Sequence, residues 1–156
     1  YGCHEEDTRK VSEKFTNLLQ KEKEIGMQKL SFYKDFQSKS EIIKNEFLSF
    51  LLDCKKKGKR VGSYGAAAKG NTLLNYAGIK NDLIEFVCDA AQSKQGKFLP
   101  GSHIPINKPS YLESIDSLDF LIIFPWNISS EIIKNLDYLK KRGTKFIIAI
   151  PELTIL

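Results

Sequence analysis

The chain has 156 residues and a formal net charge of +5, with 42% hydrophobic and 28% charged residues. That is enough for one packed core, and it is the composition of a globular protein rather than a disordered or fibrous one. No apolar run approaches the ~20 residues that a membrane-spanning helix needs, so no membrane partner is expected.

The first residues, Tyr1-Gly-Cys-His-Glu-Glu-Asp7, have neither the basic nor the apolar region of a signal peptide. They also lack an initiator methionine, and the chain is expected to be a piece of a longer polypeptide. His4 fits no catalytic motif. Cys3, Cys54 and Cys88 are odd in number and far apart, with no C-x-x-C. They argue against a disulfide scaffold and against a zinc site, and point to a reducing cytoplasm. Residues 1–60 hold fourteen of the 24 basic and ten of the 19 acidic residues, so the excess charge lies mostly in the first third. Its densest part, Lys55-Lys-Lys-Gly-Lys-Arg60, reads as a solvated cationic helix end favoured by the helix dipole rather than as a nucleic-acid surface.

Residues 8–57 contain no proline and one glycine, Gly26. Val11, Phe15, Leu18 and Leu19 form one helical stripe. Tyr33, Phe36, Ile43, Phe47, Phe50, Leu51 and Cys54 form another. The spacing predicts a first helix over 8–24 and a second over 28–57, about 45 Å long, stopped by Gly58. Residues 1–58 are thus a two-helix arm, and its long helix is a surface on which two copies could pair.

From Arg60 the pattern changes. Strands are predicted at 60–64, 83–88, 119–124 and 145–150, with a short extended piece at 103–106. Helices are predicted at 66–77 and 130–142, and a capping box, Ser110-Tyr-Leu-Glu113, opens a short helix between them. Alternating strands and helices predict an α/β domain over 59–156. It is a Rossmann-like parallel sheet with right-handed crossovers and helices on both faces.

In such a sheet a ligand lies beyond the carboxyl ends of the strands, where the winding reverses. Two loops face each other there, Ser63-Tyr-Gly-Ala-Ala-Ala-Lys-Gly70 and Pro125-Trp-Asn127. The first opens a helix, so its free amides and Lys69 either form a seat for a phosphate or belong to a tight turn that serves packing alone. It is neither G-x-G-x-x-G nor a P-loop. Asp89, after the second strand, either accepts ribose hydroxyls or simply starts a loop. The long loop Lys94-Gln-Gly-Lys-Phe-Leu-Pro-Gly-Ser-His103 carries two cations suited to a diphosphate, and His103 as an acid, a base or a structural residue. Trp126 offers a stacking surface. Asn127 either binds a carbonyl or caps the next helix.

Tyr64 to Asn75, Lys94-Gln-Gly-Lys97, Pro100-Gly-Ser-His-Ile-Pro-Ile106 and Pro125-Trp-Asn127 together resemble the C-terminal domain of SAM-dependent sugar C-methyltransferases. The resemblance covers residues 8–156 in one order. It implies a parent in three parts: a zinc-binding N-terminal segment, a central SAM-binding Rossmann domain and this domain. A nucleotide diphosphate sugar would lie between the last two. The family's cysteine cluster, SAM motif and catalytic region would lie upstream, so no catalytic residue, metal or cofactor is expected in this chain. The reaction implied is removal of a proton next to a ketone, stabilisation of the enolate, and attack of the carbanion on the SAM methyl group. The substrate-binding residues implied are Tyr64, Gly65, Lys69, Asn71, Asp89, Lys94, Lys97, His103, Trp126 and Asn127. The alternative reading is a non-catalytic module that senses NAD, CoA or another dinucleotide.

Overall fold

A computed structural model describes residues 2–156. The chain divides into two compact units, the residues up to Lys39 and Ser40–Leu156.

In the first unit, helix α1 spans Glu13–Glu24 and is capped by Ser12, whose hydroxyl accepts the Phe15 N–H. The helix predicted from residue 8 starts later because Asp7 takes the backbone N–H and the guanidinium of Arg9, closing a local turn that competes with helix. None of the residues of α1 is buried. Phe15 and Leu18 of α1 are each 56% exposed, so the helical part of the stripe is bare, while Val11, 67% exposed, lies ahead of the helix. The predicted 28–57 helix is interrupted. Leu30–Tyr33 is a 3₁₀ turn, pinned by the Tyr33 hydroxyl donating to the Met27 carbonyl at 2.8 Å. Helix α2 covers Phe36–Lys56, about 32 Å at 1.5 Å per residue rather than 45 Å.

The second unit is built on a six-stranded sheet of order β3-β2-β1-β4-β5-β6. The strands are β1 (Val61–Tyr64), β2 (Val87–Cys88), β3 (Ile106–Asn107), β4 (Phe120–Ile123), β5 (Lys145–Ile148) and β6 (Thr154–Ile155). The first five are parallel and β6 is antiparallel to β5. The helices between them are α3 (Ala68–Tyr76), α4 (Tyr111–Ser114), α5 (Ser129–Asn135) and α6 (Asp137–Lys141).

Burial alternates along the strands. Val61, Val87, Ile122 and Ile147 face one side, where Phe47, Leu51 and Cys54 of α2 and Leu73 and Leu74 of α3 close the core. Cys88, Leu121, Ile123 and Phe146 face the other, against Leu112 of α4, Ile132 of α5 and Leu139 of α6. Helices therefore cover both faces, as the alternating pattern requires. Each fully buried Phe or Leu contributes on the order of 1.5–3 kcal/mol.

Three local expectations are corrected, and one strand is added. The strand predicted at 83–88 shrinks to Val87–Cys88, because Leu83 and Ile84 turn their N–H groups back to the Lys80 carbonyl. Ser110 is helical and makes no side-chain cap, so the capping box does not form. The 130–142 helix splits at Leu136, whose backbone leaves helical geometry at φ −106° and ψ 18°. β6, three residues after Pro151, adds the antiparallel edge that the sequence reading did not anticipate.

Candidate functional site

The chain winds outward from β1 to β2 and β3, then returns to lay β4 on the opposite side of β1. The winding reverses between β1 and β4, where the sequence pattern places it. Two features of the chain make the β1–α3 turn fit there. Gly65 has φ +89°, and a Cβ on it would lie 2.4 Å from the ring carbons of Pro125. A Cβ on Gly70 would lie 2.5 Å from Phe124 Cγ. The glycines thus let the start of α3 press against the end of β4, which no side chain would allow.

The amides of the turn are less free than the sequence suggests. Gly65 donates to the Cys88 carbonyl at 2.7 Å, and Ala67 to the Gly65 carbonyl at 2.8 Å. Ala66 donates to Asp89 Oδ2 at 2.6 Å. Asp89 is 8% exposed; its other oxygen accepts the Ala91 N–H at 2.8 Å, and Lys94 Nζ lies 3.1 Å from Oδ2. This carboxylate ties the β2 loop to the β1 turn. The first turn of α3 is different: its cap, Ala67, has no side chain to give. The N–H groups of Ala68, Lys69 and Gly70 are the orphan donors of that helix end.

Two cavities flank α3. One, of about 560 Å³, is walled by Ala66, Ala67, Ala68 and Asn71 on the helix side and by Lys94, Lys97, Phe98 and Pro100 on the loop side. The loop is ordered by its own backbone. Gly96 donates to the Ile106 carbonyl, Ile106 to Lys97 and Leu99 to Ile104, and Phe98 bridges Pro105. Lys94 Nζ donates to the Ala66 carbonyl at 2.9 Å, and Lys97 Nζ to the Ser93 carbonyl at 2.7 Å. Asp89 offsets part of the Lys94 charge, so Lys97 and the α3 dipole supply the uncompensated positive field.

The second cavity, about 210 Å³, is an apolar slot between Ile43 of α2, Leu73 and Tyr76 of α3, Trp126 and Ile150. Lys69 lies along it, not over the turn. Its ammonium stands 4.7 Å from the centre of the Trp126 indole and donates to Asn127 Oδ1 at 3.1 Å. Asn127 sits inside a 3₁₀ turn, Trp126–Ile128, and does not cap α5.

The ten residues expected at the site therefore separate. Asn71, Lys94 and Lys97 line the larger cavity, with Asp89 bonded behind Lys94. Lys69 and Trp126 line the slot, with Asn127 bonded to Lys69, and Gly65 lies beneath Pro125. Tyr64 packs on the α4–α6 face and lines neither cavity; burial, with the nearby Asp89 and Cys88, raises its phenol above the usual range. His103 has φ +56° and stands against Phe98, ring centres 6.1 Å apart. It lines neither cavity. Phe98, 60% exposed on the cavity wall, was not singled out from the sequence. Its signal was a lone aromatic residue within a polar loop.

Residues 1–151 match the family model of the C-methyltransferase C-terminal domain. The chain belongs to that family. It is also 33% identical over 135 residues to the C-methyltransferase NovU of Streptomyces niveus, a match covering 86% of this chain and 32% of that protein. The chain thus spans about a third of the length of this curated relative. No helix among the described residues is long and apolar enough to cross a membrane.

Proposed function

We propose that this chain is the substrate-holding part of a SAM-dependent C-methyltransferase acting on a nucleotide-linked keto-deoxysugar, working in the cytoplasm. The observation that carries the reading is the larger cavity. There the uncapped start of α3 and two lysines converge on walls of alanine, phenylalanine and proline. A diphosphate needs the first set of groups, and the ring of a sugar or base fits the second.

SAM would supply the methyl group, and no residue of this chain is assigned to it. Nor is zinc assigned to any residue of this chain. Both belong to the upstream parts that the family resemblance implies, and the central SAM-binding domain is the proposed partner within the same polypeptide. What this chain's residues contribute is position. Lys94, Lys97 and the α3 amides hold the diphosphate, fixing the sugar so that a base from elsewhere meets the carbon beside its ketone. By itself the chain would bind and not methylate. Pairing of two copies through α2 is a separate proposal; a dimer mass by light scattering supports it, and a monomer removes it.

A dinucleotide sensor is the second reading. It needs Asp89 free for a ribose, and here both carboxylate oxygens are engaged by Ala66, Ala91 and Lys94. Thermal-shift comparison separates the two readings. Stabilisation by thymidine, guanosine or cytidine diphosphate sugars, with none by NAD or CoA, supports the first. The reverse order supports the second.

A further inference from the structure

The larger cavity has walls from two separate stretches of chain, α3 with the turn before it on one side and the loop from Lys94 to Pro100 on the other. Its width therefore depends on what joins them. Backbone bonds from Gly96 to Ile106, Leu99 to Ile104 and Ile106 to Lys97 fold the loop on itself. Buried Leu99 roots it in the same core as Leu73 and Leu74 of α3. At the near end, Lys94 Nζ donates to the Ala66 carbonyl ahead of the helix.

At the far end one side chain spans the gap. Asn75, in the last turn of α3, donates through Nδ2 to the Asn71 carbonyl at 2.8 Å and to the Pro100 carbonyl at 3.0 Å. Asn71 stands in the helix wall of the cavity and Pro100 in the loop wall. The first bond fixes the amide on its own helix, and the second reaches across. Both acceptors are carbonyls, so the amino group must face them. The amide oxygen then lies beside Gly101, where a Cβ would come within 1.9 Å of it and φ is +81°. Glycine at that point is what lets the loop approach so closely. Lys80 Nζ grips the next carbonyl, that of Gly101, at 2.8 Å.

We propose that Asn75 is a positioning residue for substrate binding: by tying Asn71 to Pro100 it holds the loop wall, with Lys97 and Phe98, at the distance from α3 that the ligand requires. The inference rests on the nucleotide-sugar reading. Asn75 is not itself in the cavity wall, so it acts through the loop. A wall released from this tie stands at the binding distance only part of the time. Apparent affinity then falls by the fraction of time that the wall is in place.

The test titrates thymidine diphosphate glucose calorimetrically into the full chain and into Asn75→Ala and Asn75→Asp. The second variant keeps the shape of the side chain and loses its N–H donors. Asn75 is exposed and Leu99 stays in the core, so both variants should fold. Each should bind about 3- to 10-fold more weakly than wild type. Hydrogen exchange without ligand should quicken at the amides of residues 96–103 and keep its wild-type rate in β1 and β4, and saturating ligand should restore the loop. Wild-type affinity in either variant overturns the inference and leaves the cavity reading standing. So does weaker binding with loop exchange unchanged. Weaker binding with faster exchange across the whole second unit also overturns it, because lost stability then accounts for the loss. Failure of wild type to bind overturns both.

Discussion

The two flanks of α3 use the same residue types to different ends. On the cavity side, two lysines are held by backbone carbonyls at 2.9 and 2.7 Å, with Asp89 behind them. They face an open volume of about 560 Å³. On the slot side, Lys69 is held by an indole face and one amide oxygen, beside a volume of about 210 Å³. A lysine anchored by one carbonyl, as Lys97 is, keeps its charge uncompensated, whereas Lys94 shares its charge with Asp89. A lysine laid across tryptophan trades hydration for contact with a ring. The cavity flank is therefore the one on which lysine ammonium groups stand beside an open volume. The slot flank binds the helix start to the β4 loop and offers an aromatic surface.

The turn beneath both flanks is the point at which the arrangement breaks most easily. Gly65→Ala would drive a Cβ into Pro125 and hold an L-residue at φ +89°. Overpacking and left-handed backbone together cost about 2–5 kcal/mol. The expected result is a fall of roughly 5–15 °C in melting temperature with loss of nucleotide-sugar binding. An unchanged melting curve would mean that the close approach to β4 is not required.

Lys69→Ala sharpens the contrast. It should weaken nucleotide-sugar binding by less than about 3-fold, because its ammonium stands on Trp126 and Asn127 and not in the wall of the larger cavity. It should also shift the emission of the chain's one tryptophan, Trp126, as the ammonium leaves the ring. A tenfold loss of affinity would place the anion on the slot side instead.

Asp119 gives a smaller effect on acid stability. Its carboxylate accepts the Arg60 N–H at 2.8 Å and the Lys59 ammonium at 2.9 Å, joining the entries of β1 and β4. These bonds, the backbone one first, hold its pKa below the usual carboxylate range. A depressed native pKa means that stability is present above the unfolded value and lost as pH falls through the native one. Asp119→Asn should therefore flatten the loss of stability below about pH 4. An unaltered acid limb would show the pair to be inert.

Thiol chemistry should separate the cysteines with little change in stability. Cys88 is buried and desolvation pushes its thiol up to about 12, while Cys54 is raised by burial and by Asp53 and Asp119. Cys3 is exposed. A thiol reagent at pH 8 should label one cysteine in the native chain and three in denaturant. Rapid native labelling of Cys88 would mean that the α4–α6 face opens readily.

Much of the fold was legible because each strand of the main sheet is a short apolar run ended by a turn signal. The reversal between β1 and β4 followed from taking the first strand as the centre of a doubly wound sheet. β6 was hidden because its strand, Thr154–Ile155, is too short for any periodicity. The 3₁₀ break before α2 depends on one tyrosine hydroxyl reaching back six residues, which an apolar stripe does not encode. In the cavity wall, Lys94 and Lys97 were legible from residue type and loop length, whereas Asn71 came only with the family resemblance. Asp89 as a cap for Ala66 was not legible, because its bond spans 23 residues. The placement of Tyr64 was encoded in strand parity: it shares a face with Gly62, opposite Val61 and Ser63.

The central claim is that the anion is held on the cavity flank by Lys94 and Lys97. Calorimetric titration of thymidine diphosphate glucose into wild type and into the double variant Lys94→Ala/Lys97→Ala tests it directly. The account predicts binding by wild type that weakens with salt, and a loss of roughly 30-fold or more in the variant, since each charged hydrogen bond is worth about 1.5–3 kcal/mol. Equal affinity of the two proteins would contradict it.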